Sequence, residues 1–247
     1  MGSGMSGAQA MILAAGRGER MRPLTDNCPK PLLELHGKPL MQYHVEAFGR
    51  SGFRDLVINT AWLGHQIETR FAPDSAWAAQ SAAAGLAPMR IRYSHEGKDF
   101  GAALETAGGI ARALPLLAET FWLVGGDVYV PGFEFTRAAM DRFESSGKLA
   151  HLVLVPNPQH NPKGDFGLRA DGAALNQADD KATYSTIGMY RKGLFAGLPD
   201  GNPNGLKAPL APLLRAAMDN GQVSAEIYTG AWTDVGTPER LAQLNAP

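Results

Sequence analysis

Ile12-Leu13-Ala14-Ala15-Gly16-Arg17-Gly18-Glu19-Arg20-Met21-Arg22-Pro23-Leu24-Thr25-Asp26-Asn27-Cys28-Pro29-Lys30-Pro31-Leu32 decides the reading of this chain. It begins as an apolar strand and ends as a basic loop. Ala14, Ala15 and Gly16 are small enough for a ligand to lie against the backbone. Gly16 and Gly18 let successive N–H groups converge on one point, a concavity that binds anions. Arg17, Arg20, Arg22 and Lys30 add positive charge around it, and Pro23, Pro29 and Pro31 stiffen the loop. A rigid loop with converging donors and cations suits a polyphosphate.

Two other phosphate-binding turns are disfavoured. Gly16-x-Gly18 opens a dinucleotide fingerprint, but Met21 stands where its third glycine belongs. The next strand ends in Asn59-Thr60 rather than the acidic residue that would hold a ribose. No GxxxxGK[ST] loop occurs.

The wider chain agrees with a soluble α/β globule. At 247 residues it can bury a substantial core. The net charge of −1 makes nucleic acid and anionic membranes poor default partners, so the basic loop is a local feature. Cys28 is the single cysteine, which excludes an internal disulfide and a cysteine-based zinc site. No apolar run reaches membrane-spanning length. The histidines 36, 44, 65, 95, 151 and 160 show no metal-binding spacing. Residues 1–9, MGSGMSGAQ, lack a signal-peptide core and read as an expression scar before a native start. A cytoplasmic enzyme is the expectation.

Strand and helix patterns alternate up to Val155. Strands are expected at 10–15, 54–59, 89–93, 121–124 and 149–155, with helices at 39–52, 63–71, 75–84, 105–114 and 133–146. This predicts an α/β, Rossmann-like, mostly parallel mixed sheet with helices on both faces. The region 10–155 would form one half and 156–247 the other half of a single domain. In the second half, strands at 166–169 and 183–190 are expected around the Asp171-Gly172 turn. A helix is expected at 208–220, followed by a hairpin of 223–228 and 231–235. Ligands in such sheets lie beyond the carboxyl ends of the strands, which puts Gly16–Lys30 and Asp127 on one rim.

The opening motif resembles the signature of the sugar-1-phosphate nucleotidyltransferase family, AAGxGxRxxPxT followed by PKP. That resemblance implies Mg²⁺ as cofactor and a nucleoside triphosphate and a sugar 1-phosphate as substrates. It implies Lys30 on the phosphate that joins the reactants and Arg20 on the departing pyrophosphate, with Ala14, Ala15, Gly16 and Gly18 around the nucleotide. Gly126-Asp127 resembles the family's metal motif. Trp232-Thr233-Asp234-Val235-Gly236-Thr237-Pro238 resembles its second metal segment. Asp127 and Asp234 are therefore the expected magnesium ligands, few carboxylates being what Mg²⁺ takes beside phosphates. Each has a plainer reading: Asp127 as a turn or cap residue, and Thr237-Pro238 as the start of the last helix.

Glu96 and the segment Leu104-Glu105-Thr106-Ala107-Gly108 resemble the base-reading loop, with Glu105 replacing a usual glycine. Gly125 stands where the family commonly has asparagine. Gly164 and Asp165 resemble the segment that approaches the sugar, and Lys181 the family's second lysine.

Within the family, 59–67, 104–110, 164–166 and 208–218 resemble the short bacterial members of cell-wall recycling, which join UTP to N-acetylmuramic acid α-1-phosphate. Rival substrate pairs are glucose 1-phosphate with dTTP or UTP, and mannose 1-phosphate with GTP. A rival of another class is a nucleotide-sugar sensor without turnover, which would have no need of both aspartates.

Overall fold

The computed structural model describes residues 8–246. Seven strands form the central sheet: β1 (Ala8–Ala14), β2 (Asp55–Thr60), β3 (Arg90–His95), β4 (Leu117–Gly125), β5 (Ala150–Val155), β6 (Thr183–Arg191) and β7 (Val223–Ile227). Their spatial order is β7-β5-β6-β4-β1-β2-β3. Every neighbouring pair is parallel except the two made by β6, which runs antiparallel to both β4 and β5. The sheet is thus mostly parallel and mixed, as the alternation predicts.

Side-chain alternation along the strands divides the core into two layers. On one face Ile12, Ile58, Trp122 and Val124 meet Met41, Val45 and Phe48 of helix α1 (Leu40–Arg50). Phe48 lies 4.1 Å from Phe135 between ring centroids, and Trp122 meets the same ring edge-on at 5.4 Å. On the other face Met11, Val57, Leu123 and Tyr190 meet Ile110 of α2 (Glu105–Ala113) and Leu214 of α3 (Leu210–Asp219). Burying each such large side chain contributes about 1.5–3 kcal/mol before entropy is counted. A third, smaller cluster joins Met21 of the basic loop to Val235 and to Leu241 of α4 (Pro238–Asn245).

Several boundaries differ from expectation. Residues 1–7 lie outside the described range, but Ala8 and Gln9 belong to β1 and Ala8 is fully buried, so the fold starts before Ala10. β4 begins at Leu117, four residues early. The Asp171-Gly172 turn joins only a small ribbon of Gly167–Leu168 and Ala174–Leu175, while β6 leaves to enter the main sheet. The expected hairpin of 223–228 and 231–235 does not form. β7 pairs parallel with β5, and Thr233–Asp234 pairs with Val128–Tyr129 beside Asp127. Alternation alone could not choose among these partners, because it specifies a face and not a neighbour.

Candidate active site

The strand order reverses around β1: β2 and β3 lie on one side and β4 on the other. The crevice at such a switch point is where open α/β sheets bind ligands. Here the basic loop leaves the end of β1 and Asp127 follows the end of β4. The two ends are tied directly, Gly126 N donating to Leu13 O at 2.8 Å.

The loop is folded on itself by buried contacts. Gly18 has φ +69°, and a Cβ there would stand 3.0 Å from Thr25 Cγ2 and 3.1 Å from Lys30 Cβ. Fully buried Thr25 donates its hydroxyl to Gly18 O at 2.8 Å. Arg17 and Trp62 both donate to Thr25 O, and the guanidinium stacks 3.8 Å from the Trp62 ring. Arg17, at a variable position of the motif, thereby ties the loop to the segment after β2. Lys30 opens a 3-10 turn (Lys30–Leu32) between its two prolines. Its Nζ lies 2.5 Å from Asp127 Oδ2, with the lysine side chain only 12% exposed.

Asp234 is brought to Asp127 by the short ribbon, and Val235 N donates to Asp127 O at 2.9 Å. Asp234 Oδ2 accepts from Arg240 at 2.6 Å. Its Oδ1 is buried without a hydrogen-bond partner, and His160 Nε2 stands 2.9 Å away, an ion pair only when the imidazole is protonated. A buried carboxylate oxygen lacking a donor suits a cation. No cluster of three or more candidate metal-ligating side chains exists among the described residues. Two carboxylates, with phosphates and water completing the shell, fit Mg²⁺. Thr237 also caps α4, its hydroxyl accepting from Arg240 N, so the segment both turns and presents Asp234. Arg20 is exposed and sits at the edge of this group, its guanidinium 3.6 Å from where a Gly236 Cβ would be.

A cavity of about 300 Å³ opens between these elements, lined by Ala14, Ala15, Gly16, Lys30, Asn59, Glu96, Glu105, Thr106, Gly125, Asp127 and Thr186. Most of the expected nucleotide residues are gathered there, while Gly18 lies behind the wall. Glu96 requires correction. It is fully buried, and its two oxygens accept from Asn59 Nδ2 at 2.6 Å and Leu104 N at 2.7 Å. Burial raises its pKa against the opposing effect of those two bonds. With both oxygens engaged it braces the wall, and Glu105 and Thr106 line the cavity beside it. Asn59 completes the brace, accepting Ala14 N at 2.8 Å.

A second cavity, of about 580 Å³, adjoins the first and shares Leu13, Glu105, Thr106 and Thr186 with it. Asp165, Phe166, Tyr184, Leu210, Leu214 and Arg215 complete much of its wall. Asp165 Oδ2 accepts from Tyr184 N at 2.8 Å and Asn161 Nδ2 at 3.2 Å. Gly164 does not line the cavity; its φ is +63°, and a Cβ would stand 2.7 Å from Lys181 O. Its role is close backbone approach. Lys181 lines neither cavity, so the expected second lysine is not brought to the site.

Thr186 and Arg215 were not legible as site residues. Thr186 sits in an irregularity of β6 at φ +61°, opposite the end of β4, with its hydroxyl buried and unpaired. A Cβ at Gly125 would meet that hydroxyl at 2.7 Å and Asp127 Oδ1 at 3.0 Å. Glycine at 125 and threonine at 186 are therefore one fitted pair.

Known proteins share this architecture. A Bacillus anthracis structure described as a candidate glucose-1-phosphate thymidylyltransferase superposes with a TM-score of 0.73 at 17% identity, covering 96% of this chain and 93% of its own. The N-acetylmuramate alpha-1-phosphate uridylyltransferase of Neisseria meningitidis is 45% identical over 246 residues, 96% of this chain and 97% of the relative. The Caulobacter vibrioides protein of the same name is 31% identical over 245 residues, 93% of this chain and 92% of the relative. The family model described as nucleotidyl transferase matches residues 9–247, and the chain belongs to that family.

Proposed function

We propose that the chain transfers the uridylyl group of UTP to N-acetylmuramic acid α-1-phosphate, releasing pyrophosphate. The observation that carries the reading is Lys30 held 2.5 Å from Asp127 on the wall of the first cavity, where the phosphate-type loop meets the end of β4. The choice of sugar and base rests on the similarity to the Neisseria meningitidis and Caulobacter vibrioides relatives.

The chemistry needs no protein nucleophile. An oxygen of the sugar phosphate attacks the α-phosphorus of the triphosphate in line. The bond from that phosphorus to the bridging oxygen breaks, and pyrophosphate departs with the electron pair. The obstacle is mutual repulsion of two polyanions, so positioning and charge neutralisation dominate. The backbone N–H groups of Ala15 and Gly16, which line the first cavity, receive the triphosphate. Lys30 places its ammonium against the transferring phosphate, and Arg20 faces the departing pyrophosphate. Glu105 and Thr106 meet the base edge, and Asp165 meets sugar hydroxyls. Magnesium held by Asp127 and Asp234 would neutralise charge on the phosphates.

Pyrophosphate release over a matrix of UTP, dTTP, GTP and ATP with several sugar 1-phosphates tests the reading. The expected outcome is greatest kcat/KM for UTP with N-acetylmuramic acid α-1-phosphate. Faster turnover with a purine triphosphate, or with glucose 1-phosphate or mannose 1-phosphate, would overturn it.

A further inference from the structure

Much of the second cavity's wall is hydrocarbon, with Leu13, Phe166, Leu210 and Leu214 exposing carbon to it. One cation enters it, Arg215 of α3. Its guanidinium carbon lies 5.3 Å from the centre of the Phe166 ring. Its NH1 donates to Asn176 Oδ1 at 2.7 Å, and Asn176 is itself held by Asp219 at 3.1 and 3.2 Å. The head group is thus fixed in orientation. Among the described residues it makes no ion pair, a property it shares with several other arginines, but it alone of these lines this cavity.

An arginine carries five N–H donors, and Arg215 makes a single hydrogen bond to the protein. A fixed fork with unused donors beside apolar walls suits a carboxylate, which it can bind through two parallel bonds. Asp165 shares the cavity but is engaged by Tyr184 N and Asn161. The transferring phosphate does not supply the anion, because Lys30 and Asp127 border only the adjoining cavity and Arg215 only this one. The anion belongs on the acceptor's sugar, away from its phosphate. N-Acetylmuramic acid carries such a group, the carboxylate of its 3-O-lactyl ether.

We propose that Arg215 binds the lactyl carboxylate and selects the acid-bearing sugar over its neutral counterpart. This assignment rests on the acceptor proposed above. Without Arg215 the ionisable groups left on the wall are Glu105, Asp165 and Tyr184, so an acidic sugar would meet negative charge alone.

The test compares N-acetylmuramic acid α-1-phosphate with N-acetylglucosamine α-1-phosphate, which lacks only the lactyl group. Arg215→Gln keeps a donor for Asn176 and removes the charge. It should lower kcat/KM for the acidic sugar about 10- to 100-fold, mainly through KM, and move that for the neutral sugar less than about threefold. Arg215→Lys should recover part of the preference. Calorimetric binding of the two UDP-sugar products should show the same selective loss, which general misfolding would not give. If the wild-type protein prefers the neutral sugar, the acceptor reading falls and this assignment with it. If it prefers the acidic sugar and Arg215→Gln keeps that preference, the acceptor stands and Arg215 alone is refuted.

Discussion

Lys30→Met isolates charge from shape at the centre of the site. Methionine has nearly the length of the lysine stem, so the sheltered channel beside Pro31 stays filled. The ammonium 2.5 Å from Asp127 disappears. Two consequences can be weighed. In the resting protein the pair contributes little, because Asp127 is 38% exposed and stays hydrated alone. Partly exposed pairs contribute about 0–1 kcal/mol, so the unfolding midpoint should barely move. On the role proposed for Lys30, the ammonium faces phosphate charge in the transition state from a fixed position, flanked by Pro29 and Pro31. Removing one such preorganised stabiliser costs about 3–4 kcal/mol, or roughly 10²–10³ in kcat/KM. Lys30→Arg should recover little, since the two prolines prevent the backbone from retreating to seat a longer, planar head. Pyrophosphate release and urea unfolding of the same preparations measure both quantities. A folded Lys30→Met enzyme within fivefold of wild type (roughly 1 kcal/mol) would refute the assignment of Lys30 to the transferring phosphate.

Chelation by EDTA should abolish turnover and added Mg²⁺ restore it; Asp127→Asn and Asp234→Asn should each cost about 10²-fold or more. A folded Asp234→Asn enzyme with unchanged magnesium dependence would assign Asp234 to its bond with Arg240 alone. His44 is fully enclosed, and desolvation lowers its pKa to about 4, despite the hydrogen-bonding contact with Val128 O at 2.8 Å. The unfolded chain binds this proton near 6.5, so its contribution is complete above that pH and is lost as pH falls toward 4, by about 3 kcal/mol. His44→Gln should flatten the fall in urea midpoint between pH 7.5 and 4.5, and a curve parallel to wild type would refute the linkage. Gly125→Asn should depress activity because its Cβ strikes Thr186 Oγ1 and crowds Asp127, and adding Thr186→Gly should restore part of it; additive losses in the double variant would dissolve the fitted pair.

The parts of the site legible in the sequence are those whose geometry is local. Gly16, Gly18, Pro29, Lys30 and Pro31 constrain their own backbone, so their spacing alone announces a rigid basic loop. The position of Asp127 follows from an apolar run that stops. Glu96 reads as a free acceptor because no local pattern announces its two partners. Asn59 Nδ2 comes from β2, and Leu104 N from the segment eight residues on. Arg215 lies on an amphipathic helix, where a cation ordinarily reads as the solvated face. Its placement in a cavity depends on Phe166 and Asn176, which come from loops across the fold. Lys181 lines neither cavity, and its local sequence, Asp180-Lys181-Ala182, departs from the family's motif.

The reversed strand β6 explains why one crevice serves two ligands. In a wholly parallel sheet every strand would present its end at the ligand rim. Because β6 runs the other way, it presents its beginning there, Thr186 standing beside the end of β4. That beginning carries the register shift, and such irregularities re-aim side chains. Tyr184 and Thr186 consequently line the second cavity, and Thr186 borders the first as well. The boundary at Val155 therefore divides neither the sheet nor the two cavities, since Leu13, Glu105 and Thr106 line the second and Thr186 the first. Strands from both sides of it share the sheet, and Asp234 reaches the first half through its ribbon with Val128. The third apolar cluster completes the coupling, with buried Met21 of the phosphate-type loop in one group with Val235 and Leu241. Loosening α4 at Leu241 should consequently disturb the basic loop and lower kcat/KM in the pyrophosphate-release assay, although Leu241 lines neither cavity.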